Sequence, residues 1–269
     1  MLRYIIVFLL LPLQLFAQSA NTDALIPLMR FGELADVTRQ EGLVGNETLL
    51  QDFGLPTDEE LWQEKLDEIF EVTRIESLFE AGFSDGFNSR STTEVLEFLQ
   101  DPDWIEIVTL QNDAAIATLD PDIEAASFEV YWDHVDRNSK RLAALEKLIG
   151  TVNLIEQNIA GAMNGMITLN QGMSSIIPEM AYPEEDLFAF FLEEEESMRA
   201  DISESLLSFF LMTYEPISDQ VLRDQIAFWS TQAGQDLSNA MMRAYDEVYD
   251  SLTYDLGRAM AEMLTETAL

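Results

Sequence analysis

The sequence predicts an all-α fold, a multi-helix bundle of about eight to ten helices joined by short turns. Three observations predict it. Apolar residues recur at three- and four-residue steps along most of the chain. Residues that cap helices stand just ahead of these periodic runs. The apolar–polar alternation of a half-buried strand is almost absent.

The chain opens MLRYIIVFLLLPLQLFAQSA. Arg3 supplies a charged start, 4–16 a short apolar run, and Ala17 a small residue for cleavage, with Ala20 as the alternative. The run is shorter than the ~20 residues a membrane-spanning helix needs. Residues 1–17 therefore read as a cleavable secretory signal, which implies export with no stable membrane insertion after cleavage. No cysteine follows to carry a lipid.

Helix starts are legible in order. Thr57-Asp58-Glu59-Glu60 precedes Leu61 and Trp62, Asp101-Pro102-Asp103 precedes Trp104, and Asp120-Pro121-Asp122 precedes Ile123. An aspartate accepts the free N–H groups of the first turn, and proline at the first helical position lacks one of them anyway. Ser218-Asp219 opens a further helix after Pro216. Between these, Leu142, Leu145, Leu148, Ile149, Val152, Ile155, Ile159 and Met163 form one apolar stripe, which predicts a single long helix over 138–172. Gly161, Gly165 and Gly172 weaken that helix by about 1 kcal/mol each relative to alanine, so close packing against a neighbour is expected at these positions. Asn153, Asn158, Asn164 and Asn170 punctuate the same segment and are expected at helix–helix contacts.

One internal similarity sets VLEFLQDPDWIEIV (95–108) against the stretch around Phe228, pairing Phe98 with Phe228 and Ile107 with Leu237. Both read as a helix ending in an aromatic residue, a polar break, then a new helix. The expected organisation is two related helical halves bridged by a long central helix. The signal occupies 1–17, an N-terminal half 18–137, the bridging helix and linker 138–180, and a C-terminal half 181–269.

Charge excludes whole classes of function. Fifty acidic residues face 14 basic ones, a net charge of −36, and loss of Arg3 with the signal makes it one unit more negative. Such a surface repels phosphate backbones, which excludes nucleic acid, and it repels anionic lipid head groups. Solubility is the first reading of the charge; a basic partner or bound cations is the sharper one. Cysteine is absent, so no disulfide braces an exported chain. An apolar content of 48% with sixteen phenylalanines leaves a sizeable core to do so.

The most distinctive phrase is FWSTQAGQ, Phe228-Trp229-Ser230-Thr231-Gln232-Ala233-Gly234-Gln235. One helix ends at Trp229, and Ser230 or Thr231 caps the next. Gly234 then lies in the first turn, where the lack of a Cβ lets the backbone approach a neighbouring aromatic residue. Gln235 is expected on the exposed side of that turn. Leu237, Met241, Ala244, Tyr245, Val248 and Leu252 continue as a core stripe.

Phe228, Trp229, Thr231, Ala233, Gly234 and Gln235 carry a resemblance to the domain of unknown function DUF2059, whose members show a phrase like F-Y-x-T-P-A-G-Q before an amphipathic helix. Gln232 stands where proline is common. The likeness is firmest over 185–265. The phrases RLAALEKLIGTVNLIEQNIAGAMN, LLSFFLMTYEPISD and RFGELADVTRQEGL are similar to exported relatives of marine alphaproteobacterial type. The resemblance implies an all-helical periplasmic protein, with these six residues as a structural motif. It implies no activity.

Other patterns weigh less. Gly82-Phe83-Ser84-Asp85-Gly86 fits the G-x-S-x-G nucleophile elbow, with His134 downstream, but the elbow needs a preceding strand and 74–81 reads as helix. His134 is the only histidine, and no zinc motif is present. Residues 184–204 are rich in Glu and Asp without a calcium-loop pattern, so a solvated helix face is expected, with weak cation binding as the alternative. Ten methionines fall at or after Met163, and Met163/Met166 and Met260/Met263 have one-turn spacing that suits soft Cu(I) ligation, although methionine more often fills cores.

The expectation is thus a non-enzymatic, soluble periplasmic protein without catalytic residues, metal or cofactor, acting through an unknown protein partner in the cell envelope. The alternative is a binding module for a small apolar or lipidic ligand in a Met/Phe-rich groove of the C-terminal half.

Overall fold

The structure, a computed structural model, describes residues 22–54 and 58–267. The signal expected at 1–17, and Thr57, lie outside the described residues. Among the described residues, eleven longer helices carry the fold: α1 (Phe31–Asn46), α2 (Glu59–Ile69), α3 (Val72–Gly86), α4 (Thr92–Leu99), α5 (Pro102–Ala117), α6 (Pro121–Asp136), α7 (Lys140–Thr151), α8 (Leu154–Ile176), α9 (Glu184–Thr213), α10 (Asp219–Trp229) and α11 (Gln232–Thr267). Among the described residues there is no strand, and the chain is an all-α multi-helix bundle.

The local signals act as read. The Asp58 side chain accepts from the Leu61 N–H at 3.1 Å, Asp101 from Asp103 at 2.8 Å and Asp120 from Asp122 at 2.9 Å. Ser218 accepts from Val221 at 3.3 Å. Each supplies a partner to an N–H that the first helical turn leaves free.

The expected single helix over 138–172 is two. α7 ends at Thr151 and α8 begins at Leu154, because Asn153 adopts the left-handed conformation (φ 53°, ψ 35°). Asparagine tolerates that region better than most residues. The apolar stripe continues across the break: Leu154 and Ile155 at the start of α8 still pack against the cluster of α7, and the helix reaches the other cluster only further along. Leu142, Leu145, Leu148 and Ile149 of α7 are buried in one cluster, whereas Leu169 of α8 packs against the other.

Two apolar clusters hold the fold, and they do not follow the expected boundaries at 137/138 and 180/181. The first joins the two ends of the described chain. Leu25, Phe31, Leu66, Phe79, Phe83 and Val95 meet Leu237, Val248, Leu252 and Met260 of α11. Phe79 and Phe83, one turn apart, share one face of α3, and Phe87 follows just past its end. Phe31 stacks on Phe79 at 5.7 Å between ring centroids, and Phe83 on Phe87 at 5.5 Å. The second cluster is built from the middle of the chain, Ile107, the α7 leucines, Leu207, Leu211, Tyr214 and Leu222. Arg141 braces it by donating to the Ile217 carbonyl at 2.7 Å and to that of Tyr214, the residue that ends α9.

Bare backbone sets how closely α11 packs. On α3, a Cβ at Gly82 would stand 2.7 Å from Ala244 Cα, and one at Gly86 3.1 Å from Ala240 Cα. On α8, a Cβ at Gly172 would overlap the Tyr254 carbonyl oxygen, and on α11 one at Gly257 would overlap that of Leu169. Close packing holds for Gly172 only among the three glycines expected to show it. Gly161 and Gly165 face open space.

Candidate functional site

The six motif residues meet at the joint between α10 and α11, where the two apolar clusters touch. Thr231 is the cap: its Oγ accepts from the Gly234 N–H at 3.1 Å and donates to the Phe228 carbonyl at 2.7 Å. Ser230 instead donates to the Ile226 carbonyl at 2.6 Å. Ala233 is buried in the first cluster. A Cβ on Gly234 would lie 2.6 Å from Trp229 Cα and overlap the Phe228 carbonyl oxygen. The close approach is therefore to the backbone ending α10, not to an aromatic ring on a neighbour as expected.

Gln235 is not on an exposed side. Its side-chain amide donates to the Trp229 carbonyl at 2.7 Å and to the Thr151 carbonyl at 3.0 Å. Both belong to residues that end helices, α10 and α7, where carbonyls lack intrahelical partners. One amide thus satisfies two helix ends.

The aromatic residues form the other half of the joint. Phe98 and Phe228, paired by the internal similarity, stack with centroids 3.5 Å apart and planes 4° apart. Trp104 lies 4.8 Å from Phe98 and 5.6 Å from Trp229. Both tryptophans pack against both clusters. The same alignment sets Asp101, the cap of α5, opposite Thr231, the cap of α11. Beneath the joint lies Asp236, buried, accepting from Gln232 Nε2 at 2.8 Å and from the Ser91 hydroxyl. Sequence reading missed Asp236 and Ser91; the Gln232–Asp236 spacing of four was the available signal. Gln232 supplies this hydrogen bond.

The elbow pattern lies inside α3, with both of its glycines turned to α11. Ser84 and His134 stand on helices that belong to different clusters, and His134 Nδ1 is 2.9 Å from Oγ of Ser139, the cap of α7. Among the described residues, no three acidic or histidine side chains are placed to hold a metal ion. Arg199 is drawn to Glu156 and Glu195, and its hydrogen bonds hold the Glu156 carboxyl below its ordinary range. Met260 and Met263 are buried in the first cluster. No helix among the described residues is long and apolar enough to cross a membrane.

Cavities open between the helices of the described residues, three of them at the following places. One of 360 Å³, between α5, α6, α8 and α9, is lined by Ser127, Phe128, Ser208 and Phe209 among others. One of 420 Å³ is polar, and its cations are committed to ion pairs, Lys65–Glu262 at 2.8 Å, Arg258–Glu262 at 3.3 Å and Arg74–Asp255. One of 330 Å³ lies between α1, α8 and α11 and is mainly apolar. None of the three is lined by a methionine, so none is the expected Met/Phe groove.

The exposed surface carries a further feature. Tyr182, Phe188, Phe190 and Leu192, at and just before the start of α9, are between 46% and 65% exposed. Asn170 clasps the Tyr182 backbone in both directions, at 2.9 and 3.1 Å, which fixes the entry to this helix. On α6, which packs against α9, Val130 and Trp132 are also exposed.

Against known proteins, the chain matches no family model, no curated protein and no solved structure.

Proposed function

We propose that this chain is a non-enzymatic, exported helical protein of the DUF2059 type that works in the periplasm by docking a protein partner. The observation that carries the reading is the start of α9. Solvated helices ordinarily turn one apolar stripe inward. Here Phe191 is buried, while Phe188, Phe190 and Leu192 stand out on both sides of it. Exposed apolar residues grouped in this way mark interaction surfaces. Glu184, Glu185, Asp186, Glu193, Glu194 and Glu196 border the patch, all exposed. The fitting partner is a protein with an apolar cleft rimmed by lysine or arginine, since complementary charge steers encounter and fixes register. The motif at Phe228–Gln235 supports this reading as a joint that keeps the two cores in one arrangement.

The testing experiment is a pull-down from the native envelope with the wild-type chain and with Phe188→Ser/Phe190→Ser. The expected result is a partner retained by the wild type and lost by the variant, with an unchanged melting point. The same partners recovered by both proteins would refute the docking face.

A further inference from the structure

We infer that the 330 Å³ cavity between α1, α8 and α11 is a binding site for a small organic ammonium with a compact apolar body. The cavity is near the lower end of the ~300–1,000 Å³ usual for ligand sites. Its floor and walls are Leu49, Phe70, Leu169, Leu252 and Leu256. The shape depends on Gly42, whose missing Cβ leaves room for the Phe70 ring directly against the α1 backbone.

Two of the polar side chains at the cavity are committed to their own helix. Thr38 donates to the Leu34 carbonyl at 2.9 Å, and Asn46 Nδ2 to the Gly42 carbonyl at 2.8 Å. Glu41 is different: among the described residues its carboxyl has no hydrogen-bond or ion-pair partner. Burial pushes that carboxyl up from its ordinary value. Beside it, Tyr245 and Tyr249 stack at 6.1 Å with planes 12° apart. The Glu41 charge reaches them, adding to desolvation in pushing the Tyr245 hydroxyl up to about 12.

A partly desolvated carboxylate without a donor is unfavourable unless something supplies one. Among the described residues, no lysine or arginine lines this cavity. An ammonium group would supply both the donor and the compensating charge, and the face of a tyrosine attracts cations. The net charge of −36 draws cations toward the protein and repels anions, so a carboxylate of the same shape would be rejected. The apolar walls take the rest of the molecule.

The test is calorimetric titration of the full chain at 0.15 M NaCl with n-hexylammonium, hexan-1-ol and hexanoate. The expected result is one site for the ammonium, at least tenfold tighter than the alcohol, and no binding of the carboxylate. Glu41→Gln should weaken the ammonium at least tenfold and leave the alcohol within twofold. Leu169→Trp, which fills the cavity from α8, should abolish both. No ammonium site, an alcohol bound as tightly as the ammonium, or ammonium binding that survives Glu41→Gln would each overturn the proposal.

Discussion

Gln235 donates its side-chain amide to the carbonyl of Thr151, 84 residues earlier in the chain and 3.0 Å away. The same amide holds the Trp229 carbonyl. Gln235→Ala should therefore destabilise the protein by about 1–2 kcal/mol, two hydrogen bonds at a net ~0.5–1.5 kcal/mol each with some recovery by water. Urea denaturation of the variant measures it. An unchanged midpoint would show that both carbonyls are solvated without the glutamine.

Glycines along one helix should respond with opposite signs. Gly172→Ala forces a Cβ into the Tyr254 carbonyl, and overpacking of this kind costs ~1–3 kcal/mol. Gly161→Ala and Gly165→Ala meet open space and should gain up to ~1 kcal/mol from helix propensity. Gly234→Ala should follow Gly172→Ala, with Gly234→Leu worse. Thermal melts of the four alanine variants give the signs directly, and a stabilised Gly172→Ala would break the close contact of α8 with α11.

The caps and the all-α class were legible because they are local. An aspartate two residues before a free N–H acts within its own turn. Asn153 was not legible as a break, since the apolar stripe runs through it unchanged. What holds the α7 end there is Gln235 from a distant helix. The glycines of α8 look alike in sequence, and only the approach of α11 separates Gly172 from Gly161. Likewise, nothing within 18–137 announces that its first part shares a core with α11 while Ile107 joins the other. Gln235 was expected on the exposed side of its turn, because an amide that reaches across to another helix has no signature in its own turn.

Glu41 gives a pH signature. Its carboxyl is raised in the folded state, so the folded protein holds the proton more tightly than the unfolded chain. Its cost to stability is therefore absent below the ordinary carboxylate range and grows as pH rises through that range to the raised value. Glu41→Gln should leave the melting point near wild type at pH 4 and raise it at pH 8. An equal shift at both pH values would mean that the carboxyl is not desolvated.

Salt should stabilise the whole protein. Fourteen cations cannot neutralise fifty carboxylates, so self-repulsion outweighs the exposed ion pairs, each worth ~0–1 kcal/mol. Screening over roughly 10 Å at 0.1 M should raise the melting point between 0.01 and 0.5 M NaCl. A falling melting point would place ion pairs above repulsion.

The most direct measurement of the docking reading is photo-crosslinking in the producing cell from position 190 on α9, with position 63 on α2 as an exposed control on the other core. The account predicts one discrete adduct from position 190 that disappears with Phe188→Ser and is absent from position 63. The same adducts from both positions, or none from position 190, would contradict it.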